Sequence, residues 1–446
     1  MQDKPNISAE DSPKTTFVLS KNGRPLLIEP DLDFIRMLGK HTPGIYKKCM
    51  QCGTCSATCE LSPDPEPFPR KEMAWASWGM KDLLLGDPDV WLCHQCNDCS
   101  AKCPRDVKPG DVMAGIRQAG VIRWSFPSFL GKWASEPQSV IFLLAIPTLL
   151  LILALYLKDP IANVLGIIEP TGERIIYPYS SMFPHWLLIS FFMFFSILAS
   201  ASGIIGAIRF WKAMKTTFPR KNPASAKSLF SSIIVTLKKI IFHDDFSKCT
   251  ESAPRLWSHM LVLFGFAGLS LVTFWIITIR INPFIQGDFI YPFSFWSPWK
   301  ILANLGGAAV LAGILLMIMD RYKGKESAHT GKYFDWLLLG TILIVVITGY
   351  ITEVLHYVRL DPHRHLAYFT HLVFVLGLIL YLPYSKLAHI FYRTTALIYD
   401  EYTGRNVEIS TVVNANLTVN SDGEDSPRQE EETASEQGNA TTQNGS

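Results

Sequence analysis

Two runs of cysteine hold the residue types in this chain most capable of chemistry. The first is Cys49-Met-Gln-Cys52-Gly-Thr-Cys55-Ser-Ala-Thr-Cys59. The second, 44 residues later, is Cys93-His-Gln-Cys96-Asn-Asp-Cys99-Ser-Ala-Lys-Cys103, followed by Pro104. Each reads C-x2-C-x2-C-x3-C, and seven of eleven positions coincide, including Gln51 with Gln95 and Ser56-Ala57 with Ser100-Ala101. Three thiolates at this spacing let the chain wrap one corner of an iron–sulfur cubane, each sulfur reaching a different iron. The fourth iron takes its ligand from elsewhere, and where two such clusters share a domain the fourth cysteine of each run serves the other cluster. The spacing therefore predicts Cys49, Cys52, Cys55 and Cys103 on one 4Fe–4S cluster, and Cys93, Cys96, Cys99 and Cys59 on a second. Zinc fits poorly, because structural zinc sites draw on paired C-x2-C motifs. Disulfides across such short spacings would be strained.

A second set of candidates lies in apolar surroundings. Ionisable side chains inside a lipid-spanning bundle are costly and usually functional. The apolar part of this chain carries His185, His259, His356, His371 and His389, together with Glu353. His371 and His389 are eighteen residues apart, five turns of a continuous helix, which would set them on one face ~27 Å apart, with Pro383 as a kink between them. Two imidazoles at two depths are what two stacked b-type haems ask of one helix, each completed by an imidazole from another. His259 shares the depth of His389, and the pair is expected to ligate an inner haem. His371 is expected to ligate an outer haem with His356, or with His185 as the alternative. Glu353 lies one turn before His356, where a carboxylate beside an imidazole could pass protons to or from a quinone.

These residues need elements to position them. Residues 1–135 read as soluble, 136–395 as membrane-like and 396–446 as an acidic, disordered tail. Six apolar runs, near 139–157, 186–208, 257–279, 300–319, 335–355 and 366–386, approach the ~20 residues a helix needs to cross a bilayer. In the soluble third, Phe17 to Ile28 reads as a hairpin about Asn22-Gly23, and Asp31 as the cap of a helix from Leu32 to Leu38. Pro69 to Leu85 reads as one helix between the cysteine runs, stopped by Gly86 and covering the clusters. The expected fold class is multi-domain: an α-rich two-cluster ferredoxin-like domain followed by a six-helix transmembrane bundle.

Loop charge orients the bundle. Segment 209–256 holds ten Lys or Arg and 320–332 four, whereas 158–185, 280–300 and 357–366 hold two each. Basic loops stay inside, so the N-terminal domain and the C-terminus are expected in the cytoplasm and the bundle in the cytoplasmic membrane. Eight of the nine cysteines sit in the two runs, which suits a reducing compartment, and Cys249 reads as an inert thiol. His363 and His365, in a short polar loop, read as solvated, and His243, in the large inner loop, carries no ligand spacing. A net charge of +2 argues against nucleic acid as a partner. With no G-x-G-x-x-G loop and no P-loop, flavin, NAD and ATP are not expected on this chain.

The soluble third resembles the C-type subunit of heterodisulfide reductase, in its twin quartets, Pro69-Arg70-Lys71, and the run from Trp91-Leu92-Cys93 to Cys103-Pro104-Arg105. The last five spans resemble the cytochrome b subunits of heterodisulfide reductase and respiratory nitrate reductase, most plainly at His371 and at Leu382-Pro383-Tyr384-Ser385-Lys386-Leu387-Ala388-His389. The two modules in one chain look like the C-type membrane subunit of the quinone-interacting membrane-bound oxidoreductase of sulfate reducers. That resemblance implies menaquinol as electron donor, soluble flavin- and iron–sulfur-bearing subunits as partners, and adenylylsulfate reductase as the downstream acceptor. One position departs from it. The nitrate-reductase type takes two histidines from the helix matching the third span, whereas here His259 has the inner place and Val272 the outer.

The function expected is a quinone-linked oxidoreductase subunit that carries electrons, with further substrate chemistry on its partners. A heterodisulfide-reductase-like membrane subunit is the nearest alternative. An iron–sulfur redox sensor on a transporter-like bundle is the alternative from another class, and it predicts no haem.

Overall fold

A short antiparallel pair opens the described chain, β1 (Phe17–Lys21) and β2 (Arg24–Ile28), in the register Lys21↔Arg24 that a two-residue connection demands. The computed structural model describes residues 17–21, 24–28, 30–42, 45–62, 67–167, 178–219, 226–242, 253–282, 294–323 and 333–405. Asn22-Gly23, His243, Cys249 and the tail beyond Arg405 lie outside them. In α1 (Leu32–His41), Asp31 caps the first turn by accepting from the Phe34 amide at 2.8 Å, and the helix runs three residues past the expected end at Leu38.

After α2 (Thr54–Ala57), the single helix expected between the cysteine runs is two, α3 (Arg70–Trp78) and α4 (Lys81–Leu85). Gly79 divides them at φ +71°, a left-handed conformation that closes the first and turns the chain into the second. Then α5 (Asp89–Leu92) leads to the second run, where α6 (Asp98–Ala101) takes the place that α2 has in the first. The repeat in sequence is thus a repeat in backbone. The long α7 (Pro109–Trp124) packs against α6 of the second run and against α1, α3, α4 and α5, and α8 (Ser128–Ser135) follows it.

The remaining chain forms α9 (Val140–Leu165), α10 (His185–Thr217), the shorter α11 (Leu229–Phe242), α12 (Ala253–Ile281), α13 (Pro298–Lys323), α14 (Tyr333–Val358) and α15 (His363–Leu380). All of these but α11 are long and apolar enough to cross a bilayer, one for each apolar run, and this is a multi-pass membrane protein. Small residues bring α12 and α13 close: a Cβ on Gly306 would stand 3.0 Å from the Gly265 carbonyl oxygen.

Three further readings change. The segment 209–256 is not all loop but contains α11, which buries Ser232 and Thr236. The sixth span is not one helix carrying both histidines. It stops at Leu380, passes through two 3-10 turns, Leu382–Tyr384 and Lys386–Ala388, and restarts as α16 (His389–Thr403). Pro383 lacks the amide an unbroken helix needs, so the face shared by His371 and His389 over five regular turns does not exist. Finally, α16 extends eight residues past the boundary drawn at 395, so the chain up to Arg405 is packed rather than tail.

That packing joins the two halves. One apolar core runs from Phe34, Trp91 and Ile116 of the soluble part to Phe210 and Met214 of α10 and to Tyr392, Ala396 and Tyr399 of α16. Charges are buried beside it. Lys71 reaches Asp87 at 3.2 Å, Glu72 at 3.6 Å and Asp89, while Arg405 reaches Asp89 at 3.0 Å. Burial, then the neighbouring carboxylates, raises the pKa of Glu72 and of Asp87 against the pull of Lys71.

Removing one partner of such a buried set leaves a charge stranded. Arg405→Ala should cost about 3–5 kcal/mol, measured by thermal unfolding in detergent, and a change within error would show that Asp89 does not depend on it. Burial also pushes the Asp400 carboxyl up to about 7, against Arg405 and with help from Asp89. From the ordinary value of 3.8 to about 7, the folded chain keeps a proton that the unfolded chain has released. Stability therefore falls as pH rises through that window. Asp400→Asn should flatten this slope in unfolding curves taken across the same range.

Candidate functional site

Two backbone features shape each cysteine run. Gln51 and Gln95 occupy φ of 58° and 55°, and Gly53 and Asn97 occupy φ of 85° and 72°. Alternate left-handed residues curl the chain about its own sulfurs, and Asn is among the few side chains that tolerate this at Asn97. The second loop is also held from beneath, where Gly110 donates its amide to Ser100 Oγ at 3.1 Å.

The eight cysteines are free thiols and gather in two sets. Cys55 feels the charge of Cys49, Cys103 and Cys52, and these four line one small cavity together with Arg70 and Met73 of α3. Cys99 feels Cys93, Cys96 and Cys59. Each set thus gathers three sulfurs of one run and the fourth of the other. Burial, with repulsion from neighbouring sulfurs, pushes the Cys55 thiol up to about 11 and that of Cys59 to about 12. Thiols crowded this way favour a cation among them, and four sulfurs per set match a cubane's demand. Polar groups reach the sulfurs of both runs: the Gln51 side-chain amide donates to Cys49 at 3.4 Å, the Gln95 amide to Cys93 at 3.3 Å and the Val107 amide to Cys103 at 3.4 Å, and the Thr54 hydroxyl lies 3.3 Å from Cys52.

A cavity of about 1470 Å³ begins at this second run and continues between α12, α13, α14 and α15. His94 and Gln95 wall its beginning, and His259, His389 and His371 line its length. His259 of α12 and His389 of α16 line the same cavity. His389 Nδ1 is 2.9 Å from the Lys386 carbonyl, and His371 Nδ1 is 3.1 Å from the Val345 carbonyl and 3.2 Å from Thr348 Oγ1. Tying Nδ1 to a carbonyl orients a ring and turns Nε2 outward, as ligating imidazoles require. At His371 the facing residue is Gly349, where a Cβ would stand 3.2 Å from the ring. These residues fit a haem in chemistry and in space.

His356 and His185 are not brought there. Neither lines the cavity: the His356 ring packs on Tyr179 with centroids 5.7 Å apart, and His185 faces a separate pocket with Arg280. His363 opens α15 rather than lying in a loop, and His365 Nδ1 meets Asp361 at 3.0 Å. Glu353 does line the cavity, but its partners are Lys300 at 3.0 Å and Asn304 at 3.2 Å. Tyr350 joins them by donating to the Asn304 carbonyl at 2.7 Å. Lys300, Asn304 and Tyr350 escaped the sequence reading. Their signal was polar residues at helical spacing inside apolar runs, Lys300 with Asn304 and Tyr350 with Glu353.

The helix α16 connects the two ends of the site. Arg393, one turn after His389, donates to the carbonyls of Cys93 and Leu92 at 3.4 Å each and meets His94 Nε2 at 2.6 Å. From the opposite side, Arg117 of α7 donates to Val90 at 2.7 Å and to Cys93.

The two sets of sulfurs make a clear prediction. Cys96→Ser should halve the iron and acid-labile sulfide of the purified chain and leave one cluster's paramagnetic resonance signal. Loss of only one iron in eight, or no loss, would break the assignment.

Residues 45–107 match the 4Fe-4S dicluster domain, and this stretch is an iron–sulfur domain of that type. Over 71 residues the chain is 41% identical to an Archaeoglobus profundus protein that is itself like the C-type subunit of heterodisulfide reductase, 16% of this chain and 38% of that one. The chain thus spans well under half of that relative. The E-type subunit of dihydromethanophenazine:CoB--CoM heterodisulfide reductase from Methanosarcina thermophila is 25% identical over 156 residues, 33% of this chain and 59% of that one. Citrate utilization protein B of Escherichia coli is 26% identical over 385 residues, 84% of this chain and 92% of that one. No solved structure matches. Residues 134–407, which hold all six apolar helices and α16, match the citrate utilization protein B family from end to end of the bundle, and the chain belongs to that family.

Proposed function

We propose that the chain is the membrane electron-transfer subunit of a larger oxidoreductase and moves electrons between menaquinol and a soluble partner bearing flavin and iron–sulfur centres. The observation that carries this reading is one continuous cavity, walled at one end by His94 and Gln95 of the second cysteine run and along its length by His259, His389 and His371. Bound at these residues, two 4Fe–4S clusters and haem b supply one-electron chemistry. The chain itself holds and positions. Cys49, Cys52, Cys55 and Cys103 hold the first cluster, and Cys93, Cys96, Cys99 and Cys59 the second. His259 and His389 offer a pair of imidazoles to an inner haem. His371 offers one imidazole to an outer haem, in place of the pair expected with His356 or His185.

Quinol fits the far end of the cavity, where Lys300, Asn304, Tyr350 and Glu353 meet in an apolar wall. Oxidation of a quinol releases two electrons and two protons, and a carboxylate must be ionised to accept one. The Lys300 ammonium, 3.0 Å from Glu353, pairs with the carboxylate in that form. By loop charge this end faces outward, with both termini on the cytoplasmic side of the cytoplasmic membrane.

Two readings of the soluble partner remain. The resemblance to the membrane subunit of sulfate reducers favours adenylylsulfate reductase as downstream acceptor. The relative that covers 84% of this chain is named for citrate utilization, which favours a flavoprotein acting on a tricarboxylic acid.

A reduced-minus-oxidised optical spectrum of the purified chain tests the reading, with b-type bands and about two haems per chain expected. His389→Ala and His259→Ala should each remove the low-spin signal, and His371→Ala only the high-spin one, with iron–sulfur content unchanged. A chain rich in iron–sulfur but without haem would leave the redox-sensor reading in its place.

A further inference from the structure

Electrons that cross the cavity must leave it toward the second cysteine run, and the residue at that crossing is Arg393. It stands one turn from His389 on α16 and sends its guanidinium to the Cys93 and Leu92 carbonyls and to His94 Nε2. A guanidinium only donates, so the His94 nitrogen that faces it is the acceptor, and the three contacts fix the Leu92–His94 backbone in one orientation. Arg117 closes the same segment from the soluble side through Val90 and Cys93. Next to Arg393, Tyr392 packs on Trp91 with ring centroids 5.1 Å apart. Both arginines, His94 and His389 line the same cavity. The Cys93 sulfur, the member of the second set nearest this clamp in sequence, is therefore held in register with the helix that His389 begins.

We infer that Arg393 is the positioning residue for the electron hand-over between the His259–His389 level and the second cluster, and that its three-point fork sets the rate of that step. The inference rests on the electron-transfer reading above. The step moves one electron from the centre held at His389 to the iron held by Cys93, Cys96, Cys99 and Cys59. No bond forms or breaks, and no proton moves with it.

Lysine keeps the charge but cannot reach two carbonyls and a ring nitrogen at once, whereas glutamine keeps part of the fork without the charge. Arg393→Lys and Arg393→Gln in the full chain separate the two contributions. Iron, sulfide and haem content should match the wild type in both variants. The midpoint potential of the second cluster, followed by paramagnetic resonance during a redox titration, should hold in Arg393→Lys and fall in Arg393→Gln. Reoxidation of pre-reduced haem by the clusters in stopped flow should slow roughly tenfold or more in both, since small misplacements of reacting centres cost rate steeply. Wild-type transfer rates in fully loaded variants would overturn the inference. Loss of the second cluster in Arg393→Lys would also overturn it, because the residue would then be needed only to build the cluster. A wild type without haem bands would remove the underlying reading itself, and that outcome is visible before any variant is made.

Discussion

The grip of one short helix on one short segment organises this molecule. The helix α16 binds Leu92–His94 through Arg393 and extends by Gly404 to Arg405, which meets the buried Asp89. Through Glu401 it also holds Lys227, at 2.6 Å, and Lys239 of α11. Each of these contacts crosses between parts of the chain about 160 to 320 residues apart. Their effect is to convert a soluble sulfur-rich unit and a lipid-facing bundle into neighbours with a shared apolar core. A domain merely tethered at residue 135 would rotate against the membrane; one clamped by α16 does not have that freedom.

The break before α16 makes this possible. A sixth span continued past Leu380 would carry His389 along its axis; the turns around Pro383 let the chain change direction there. Polar side chains at the break find partners: Tyr384 donates to the Phe126 carbonyl at 2.6 Å, and Lys386 reaches Asp335 at 2.7 Å. Such pairing is what a low-dielectric environment demands of irregular backbone and charge. At the far end of the cavity, Lys300 and Glu353 satisfy the same demand. Charges at both ends and imidazoles between them leave the middle of the bundle apolar enough to span lipid.

Much of this was legible in the residues. All six spans could be read because a lipid-crossing helix needs about twenty apolar residues in succession, a strong local signal. The gathering of the fourth cysteine of each run beside the other three of its partner run follows the same spacing logic, because a cubane constrains spacing tightly. Other features were hidden for definite reasons. At fourteen residues α11 is too short to signal a span, and it turns Ser232 and Thr236 inward, against ordinary amphipathic logic. The polar group around Glu353 draws on two helices, so no single stretch displays it. The choice of histidine beside His371 needed the rotation of α14, which sets His356 against Tyr179 and away from the cavity.

What the sequence by itself determined is the set of candidate atoms for chemistry and the material around them: eight sulfurs at cubane spacing, imidazoles in apolar runs, and six stretches able to cross a membrane. Those are local properties, written in residue type and short spacing. Only the tertiary structure decided which imidazoles line one cavity, where the sixth span breaks, and how Arg393, Arg405 and Glu401 join distant parts of the chain. The physical reason is that these depend on helix rotation and on contacts hundreds of residues apart, whose energies arise only when the apolar core has already brought the partners together.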